Sequence, residues 1–199
     1  MRRLAILPAL VLGLMLAGVA NAASPPPSPS PGPPFPEPVD GQAVYDYAGV
    51  LDPGIEAQAE RIVDAIEAQT KAEIVVYTQG LGRDGITPEE AEAHAAALMD
   101  EWGVGRAGIN DGLVILFDLD TSLRHGQVQL YAGAGFADAY MTPDELQAVF
   151  DNDMVPLLAN GDLDNSVLVA LADIVKGTID ASSPPGTGAI SRRRSTAGP

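Results

Sequence analysis

The aspartates are the residues of this chain whose types and spacing point to chemistry. The chain holds no cysteine, so thiol nucleophiles, disulfides and cysteine-ligated metals are excluded. Its two histidines, His94 and His125, stand apart and neither belongs to an HExxH pattern, which leaves no basis for a zinc centre. His94 falls beside the apolar stripe of a helix, the place of a packed or rim histidine, and His125 falls in a turn. No serine occupies a nucleophile-elbow context. What remains is Asp46, Asn110 with Asp111, and Asp118 with Asp120. Oxygen donors of this kind suit calcium or magnesium rather than zinc or copper. The same aspartates would serve as ligand or base in metal-assisted hydrolysis.

Each candidate also has a plainer role. Asp46 lies in Val44-Tyr-Asp-Tyr-Ala-Gly-Val-Leu51, where an aspartate is often a turn or cap residue. Asp52, followed by Pro53, already takes the cap of the next helix, so Asp46 needs another reason. Asn110-Asp111 opens an apolar strand, and a tight turn there favours residues that tolerate the left-handed conformation. Asp118-x-Asp120-x-Ser122 begins like a calcium loop, but Leu123 replaces the required glycine and Gln129 the required glutamate. That excludes an EF-hand and leaves a simpler oxygen site or an ordinary turn. Gly103-x-Gly105-x-x-Gly108 matches the dinucleotide fingerprint by letter only, since it follows a helix and precedes a strand.

Spacing limits which of these share a site. Asp111 and Asp118 bound one strand of about six residues, which sets them roughly 20 Å apart. Asp46 stands far enough before the first helix to reach either end. The first expectation is a metal site of Asp46, Asn110 and Asp111 near Gly133–Gly135; the second uses Asp118 and Asp120. Arg106 is the one cation beside the glycine loop that would bind a substrate phosphate.

These residues need elements to hold them. Val114 to Phe117 is a continuous apolar run, the mark of a strand buried on both faces and central to a sheet. Ile74 to Thr78 and Val128 to Ala132 read as two further strands. Helices start at Asp52-Pro53, at the capping-box sequences Thr87-Pro-Glu-Glu90 and Thr142-Pro-Asp-Glu145, and before Leu168. Strand, helix, strand predicts a parallel pair with a right-handed crossover, and the short link from Asp118 to Gly126 predicts an antiparallel hairpin. The fold class is α/β, a small mixed sheet with helices on both faces.

The order of segments is a signal peptide at 1–22, a proline-rich linker at 23–39, one domain at 40–181 and a disordered tail at 182–199. Met1-Arg-Arg, the apolar Leu4–Val19 and Ala20-Asn-Ala22 fit the rules for export and cleavage. The chain is therefore expected to be secreted or held in the cell envelope, without a transmembrane anchor once cleaved. Ser24 to Pro38 has the composition of an extended, passive spacer. The whole chain of 199 residues carries a formal net charge of −16. Between Asp40 and Ser182 stand 26 acidic and 6 basic side chains, a field that repels phosphate backbones and excludes nucleic acid as a partner.

Taken together, the motifs resemble the TPM domain, a family named for a thylakoid lumen protein, a photosystem II repair protein and a nematode receptor modulator. The resemblance rests on Asp46-x-Ala48-Gly49-x-Leu51, Thr70-x-Ala72-x-Ile74, Trp102-Gly103-x-Gly105, Asn110-x-Gly112, Gly133-x-Gly135, Thr142-Pro-Asp144 and Asn160-Gly161-Asp162. It spans roughly Val44 to Val175. The resemblance implies an α/β/α sandwich with calcium, or another divalent ion such as magnesium, at an acidic cleft in some members. It also implies acid phosphatase activity for one plant member, and assembly or modulatory roles elsewhere. Two expectations follow. The first is an envelope accessory module that binds a cation and an envelope or membrane protein partner; the second is a metal-assisted acid phosphatase. The chain departs from the family in two ways. Asp111 stands where a second asparagine is usual, and the C-terminal membrane helix and glycine-rich tail of many bacterial members are missing.

Overall fold

The computed structural model describes residues 30–182. The expected signal peptide and cleavage site, the first part of the linker and the tail from 183 lie outside the described residues. A four-stranded sheet runs in the order β1-β2-β3-β4, with β1 Val44–Asp46, β2 Ile74–Gly80, β3 Leu113–Leu119 and β4 Gly126–Ala132. β1, β2 and β3 are parallel, and β4 returns antiparallel to β3. All seven residues of β3 are buried, as its unbroken apolar run requires.

The helices begin where local chemistry says they should. In α1, Pro53–Thr70, the Asp52 side chain accepts the Gly54 N–H. Thr87 caps α2, Pro88–Trp102, through the Glu90 N–H. Thr142 and Glu145 form a reciprocal capping box at α4, Pro143–Val149. A π-helical turn at Phe150–Met154 leads from α4 into the short α5, Val155–Leu158. The last helix, α6, spans Leu163–Ser182.

Alternation along the strands splits the core in two. Val44, Ile74, Val76, Ile115 and Phe117 pack with α1 and α6 on one face. Tyr45, Val75, Tyr77, Val114 and Leu116 pack with Ala95 and Leu98 of α2 on the other. This is the expected α/β/α arrangement. The β1–β2 and β2–β3 connections step across the sheet in the same direction, yet carry α1 and α2 on opposite faces. Their hands are therefore opposite, and one of them departs from the strong right-handed preference of such crossovers.

Three parts differ from expectation. β1 is an additional strand of three residues, too short to show a period. Ala134–Ala139 forms a short helix, α3, which starts at Gly133 without a side-chain cap. The described part of the proline-rich segment is not a free spacer. Gly32 and Phe35 are buried, and the Phe35 ring meets Tyr77 edge-on with centroids 5.4 Å apart. The Gly32 N–H donates to Gln79, the Phe35 N–H to Glu101, and Trp102 Nε1–H to the Pro36 carbonyl. An extended proline-rich chain makes no internal hydrogen bonds, so its backbone groups are open to such partners. Phe35 supplies the apolar contact that composition alone undervalued.

Candidate functional site

Parallel strands place their carboxyl ends together, and crevices outside such ends are the usual ligand sites of α/β sheets. The structure puts Asp46, Gln79 and Asp118 at that end, the last residue of β1 and near the ends of β2 and β3. Asp111 precedes β3 and lies at the opposite end. Asp46 pairs in register with Thr78, and Thr78 with Phe117, so the length of β3 separates Asp46 from Asp111, about 20 Å. The expected metal set of Asp46, Asn110 and Asp111 is not brought together. Asp46 was free to reach either end only until β1 paired in parallel with β2.

Asp46 and Asp118 do not meet either. Asp46 follows Val44 on the α1 face, whereas Asp118 follows Leu116 on the α2 face. Asp46 serves its own loop. Its Oδ1 accepts from the Val50 N–H at 3.1 Å and from Thr78 Oγ1 at 2.5 Å, and its Oδ2 accepts from the Leu51 N–H at 2.9 Å. Its charge is felt by Glu56, whose carboxyl is pushed up by burial first, then by Asp46 and Glu60.

Asp118 is fully buried. Gln79 Nε2 donates to its Oδ1 at 2.6 Å, and His94 Nδ1 lies 2.7 Å from its Oδ2. Burial pushes the Asp118 carboxyl above its ordinary value, against the opposing pull of Gln79 and His94. The dyad has the parts of a general base, but its far side is largely covered, with 16% of the His94 side chain exposed. A Cβ on Gly32 would sit 3.5 Å from His94 Nε2, so the proline-rich segment lies over the imidazole. Asp120 is directed elsewhere, accepting from Ser122 Oγ and N–H in the hairpin turn. The second expected ligand pair, Asp118 with Asp120, is thus divided between a buried network and a turn. Gln79 was not singled out by sequence. His94 on the stripe of Ala91, Ala95 and Leu98 was the one available signal for the network.

At the other end, Asp111 is 1% exposed and bound by Arg106. The Arg106 N–H donates to Oδ1 at 2.9 Å, its Nε donates to Oδ2 at 2.7 Å, and Nη2 completes the fork. Burial raises the Asp111 carboxyl, but the hydrogen bonds and charge of Arg106 outweigh it and hold the group below its ordinary value. Arg106 is therefore occupied by Asp111, not presented to a phosphate. Asn110 is left-handed with φ 56°, and its carbonyl accepts the N–H groups of Gly135 and Phe136. The glycines here are needed for backbone contact. A Cβ on Gly133 would strike the Asn110 carbonyl, one on Gly135 the Ile109 carbonyl, and one on Gly112 the Val104 carbonyl. A cleft of about 360 Å³ opens beside this loop, lined by Asp100, Asn110, Tyr131 and glycine backbone. Asp100 is its one carboxylate.

Calcium or magnesium needs several converging oxygens, usually with more than one carboxylate. Asp46, Asp111 and Asp118 each accept from donors inside the domain. Among the described residues, no group of three or more His, Cys, Asp or Glu side chains could hold a metal ion. Among the described residues, Asp46, Asp111 and Asp118 do not converge into one donor set for either cation.

The sequence profile of the TPM domain matches residues 44–177. No curated protein matches. Among solved structures, the chain is similar to the N-terminal domain of a protein from P. gingivalis, at 25% identity and a TM-score of 0.59, over 71% of this chain and 84% of that one. It is also similar to the N-terminal domain of the cg2496 protein from Corynebacterium glutamicum, at 18% identity and a TM-score of 0.49, over 77% and 89%. The matched span runs from β1, through the glycine-packed loops, to the last turns of α6, and the chain belongs to the TPM domain family.

Proposed function

We propose that this chain is an exported interaction module of the cell envelope, acting by binding another protein rather than by turning over a substrate. One observation carries this reading: the three aspartates placed at the ends of the strands, Asp46, Asp111 and Asp118, are each engaged by donors inside the domain. Asp46 holds the loop before α1, Asp111 holds Arg106, and Asp118 holds Gln79 and His94. A phosphatase needs a free cation or metal at the transferred phosphate and a base within reach of water. The one arginine expected to serve is already paired. The basic, apolar and small-residue pattern at the N-terminus supports export. No helix among the described residues is long and apolar enough to cross a membrane.

The test is a pair of assays on the full chain: phosphate release from p-nitrophenyl phosphate with calcium or magnesium present, and calcium titration by calorimetry. The interaction reading expects no hydrolysis and no saturable calcium heat at millimolar concentration. Hydrolysis that disappears in a folded Asp111→Asn variant would overturn it in favour of the phosphatase. Saturable calcium heat abolished by Asp46→Ala would restore the cation site that the family resemblance implies.

A further inference from the structure

The outer edge of the sheet is open. β4 is the last strand in the order, and no other strand pairs with its far side among the described residues. The Gly133 N–H donates to the Gly112 carbonyl at 2.9 Å, and the Asp120 N–H to the His125 carbonyl at 2.8 Å. In an antiparallel ladder this fixes the alternation: odd-numbered β4 residues turn their backbone groups toward β3. The N–H and C=O of Val128, Leu130 and Ala132 therefore point outward. Natural sheets blunt such edges with charge, proline or a bulge. Gly126-Gln-Val-Gln-Leu-Tyr-Ala132 holds no charged residue and no proline, and pairs with β3 in unbroken register.

A groove of about 420 Å³ follows this edge from Gln127 to Ala132. Pro88 and Glu92 of α2 wall one side, and Leu146 and Phe150 the other. The side chains of Val128 and Leu130 contribute apolar surface, half-buried against the α1–α6 core. A backbone edge beside a recessed apolar channel suits one added extended strand, with main-chain hydrogen bonds for affinity and alternate side chains for selectivity.

Charge selects the occupant. Among the described residues no lysine or arginine lines the groove; exposed Glu92 lines it, and Glu89, Asp144 and Asp151, each next in sequence to a lining residue, are exposed. Between Asp40 and Ser182 the excess of acidic over basic side chains is 26 to 6. A second copy would bring the same field against itself, and like charges at close range oppose pairing. We infer that the β4 edge binds an extended segment of a partner protein, apolar at alternate positions and flanked by lysine or arginine. This rests on the reading of the chain as an interaction module and names the surface and partner class.

The probe is a fluorescein-labelled peptide Lys-Lys-Val-Thr-Val-Thr-Val-Lys-Lys, titrated into the full chain by anisotropy, with amide exchange followed at Val128 and Leu130. Binding is expected, with slowed exchange at both amides and affinity that falls several-fold between low and physiological salt. Val128→Pro removes an outward N–H but no bond to β3, a substitution that edge strands tolerate. It is expected to weaken binding about tenfold or more, while the exposed Glu92→Lys weakens it a few-fold without touching the core. Equal affinity in both variants would overturn the edge site. Absence of binding by the wild type would overturn it too, and silent phosphatase and calcium assays would still leave the module reading standing. Protection of Val128 and Leu130 without peptide, released on diluting the protein, would assign the edge to a second copy. Protection released by replacing Arg192, Arg193 and Arg194 with alanine would assign it to the chain's own tail.

Discussion

His94 Nδ1 lies 2.7 Å from Oδ2 of Asp118, while Gln79 Nε2 donates to Oδ1 of the same carboxylate at 2.6 Å. The three side chains come from α2, β3 and β2 and close a buried polar network on the sheet's second face. Such a network stabilises only while each member is satisfied. Asn at 118 keeps both contacts in one orientation, its oxygen accepting from Gln79 and its amide donating to His94. Asp118→Ala takes away the acceptor of Gln79 Nε2 and the partner of His94 Nδ1, while Gln79 Oε1 still accepts from Gly32. Urea unfolding at pH 7 should place Asp118→Ala about 2–4 kcal/mol below wild type, and Asp118→Asn within about 1 kcal/mol of it. The sign with pH is also fixed. Burial raises this carboxyl, so its favourable contribution is present at low pH and is lost as pH rises through the folded value. Asp118→Asn should remove that loss.

The Arg106–Asp111 pair behaves in the opposite way. Its carboxyl is held below the ordinary value, so the pair stabilises fully at neutral pH. That contribution disappears as pH falls through the folded value. Asp111→Asn should lower stability by about 1–2 kcal/mol at pH 7, a modest figure because the Arg106 side chain is 46% exposed. The difference between variant and wild type should shrink steadily below about pH 4. A gap that stays constant into acid would show that Asp111 acts through shape, not charge.

What was legible in the sequence was local. Asp52, Thr87 and Thr142 marked their helices because a cap bonds within three residues of itself. β3 announced itself through an apolar run that no exposed segment tolerates. β1 did not, because three residues show no period and its pairing with β2 lies about thirty residues along the chain. That one strand decides which end of the sheet Asp46 occupies, so missing it joined Asp46 to the wrong loop. The sequence around Asn110 and Asp111 fits a turn or a ligand pair equally well. Arg106, five residues away, settles the matter through a loop geometry that only the packed glycines define.

Asp46 is a loop organiser, and its removal should be felt in the backbone. Asp46→Ala takes away the acceptor for the Val50 and Leu51 N–H groups and for Thr78 Oγ1. A loss of about 2–3 kcal/mol is expected in urea unfolding. Amide exchange at Val50 and Leu51 should quicken more than exchange within α1. Unchanged exchange at these two amides would remove the organising role.

The proline-rich segment should report its own docking through Trp102, the chain's one tryptophan. Trp102 Nε1–H donates to the Pro36 carbonyl at 2.9 Å, and its ring meets Tyr45 and Tyr77 edge-on. One residue earlier in the segment, Phe35 is 8% exposed and packs on Tyr77. Phe35→Ala removes that ring from a rim position, which should destabilise the fold by about 2–3 kcal/mol, less than a central core phenylalanine. Once the segment lifts, water reaches the indole and its emission should move to longer wavelength before global unfolding begins. A variant whose emission keeps the wild-type maximum up to the unfolding transition would show that the segment stays in place without Phe35. In that case the hydrogen bonds of Gly32, the Phe35 backbone and Pro36 would suffice to hold it over His94.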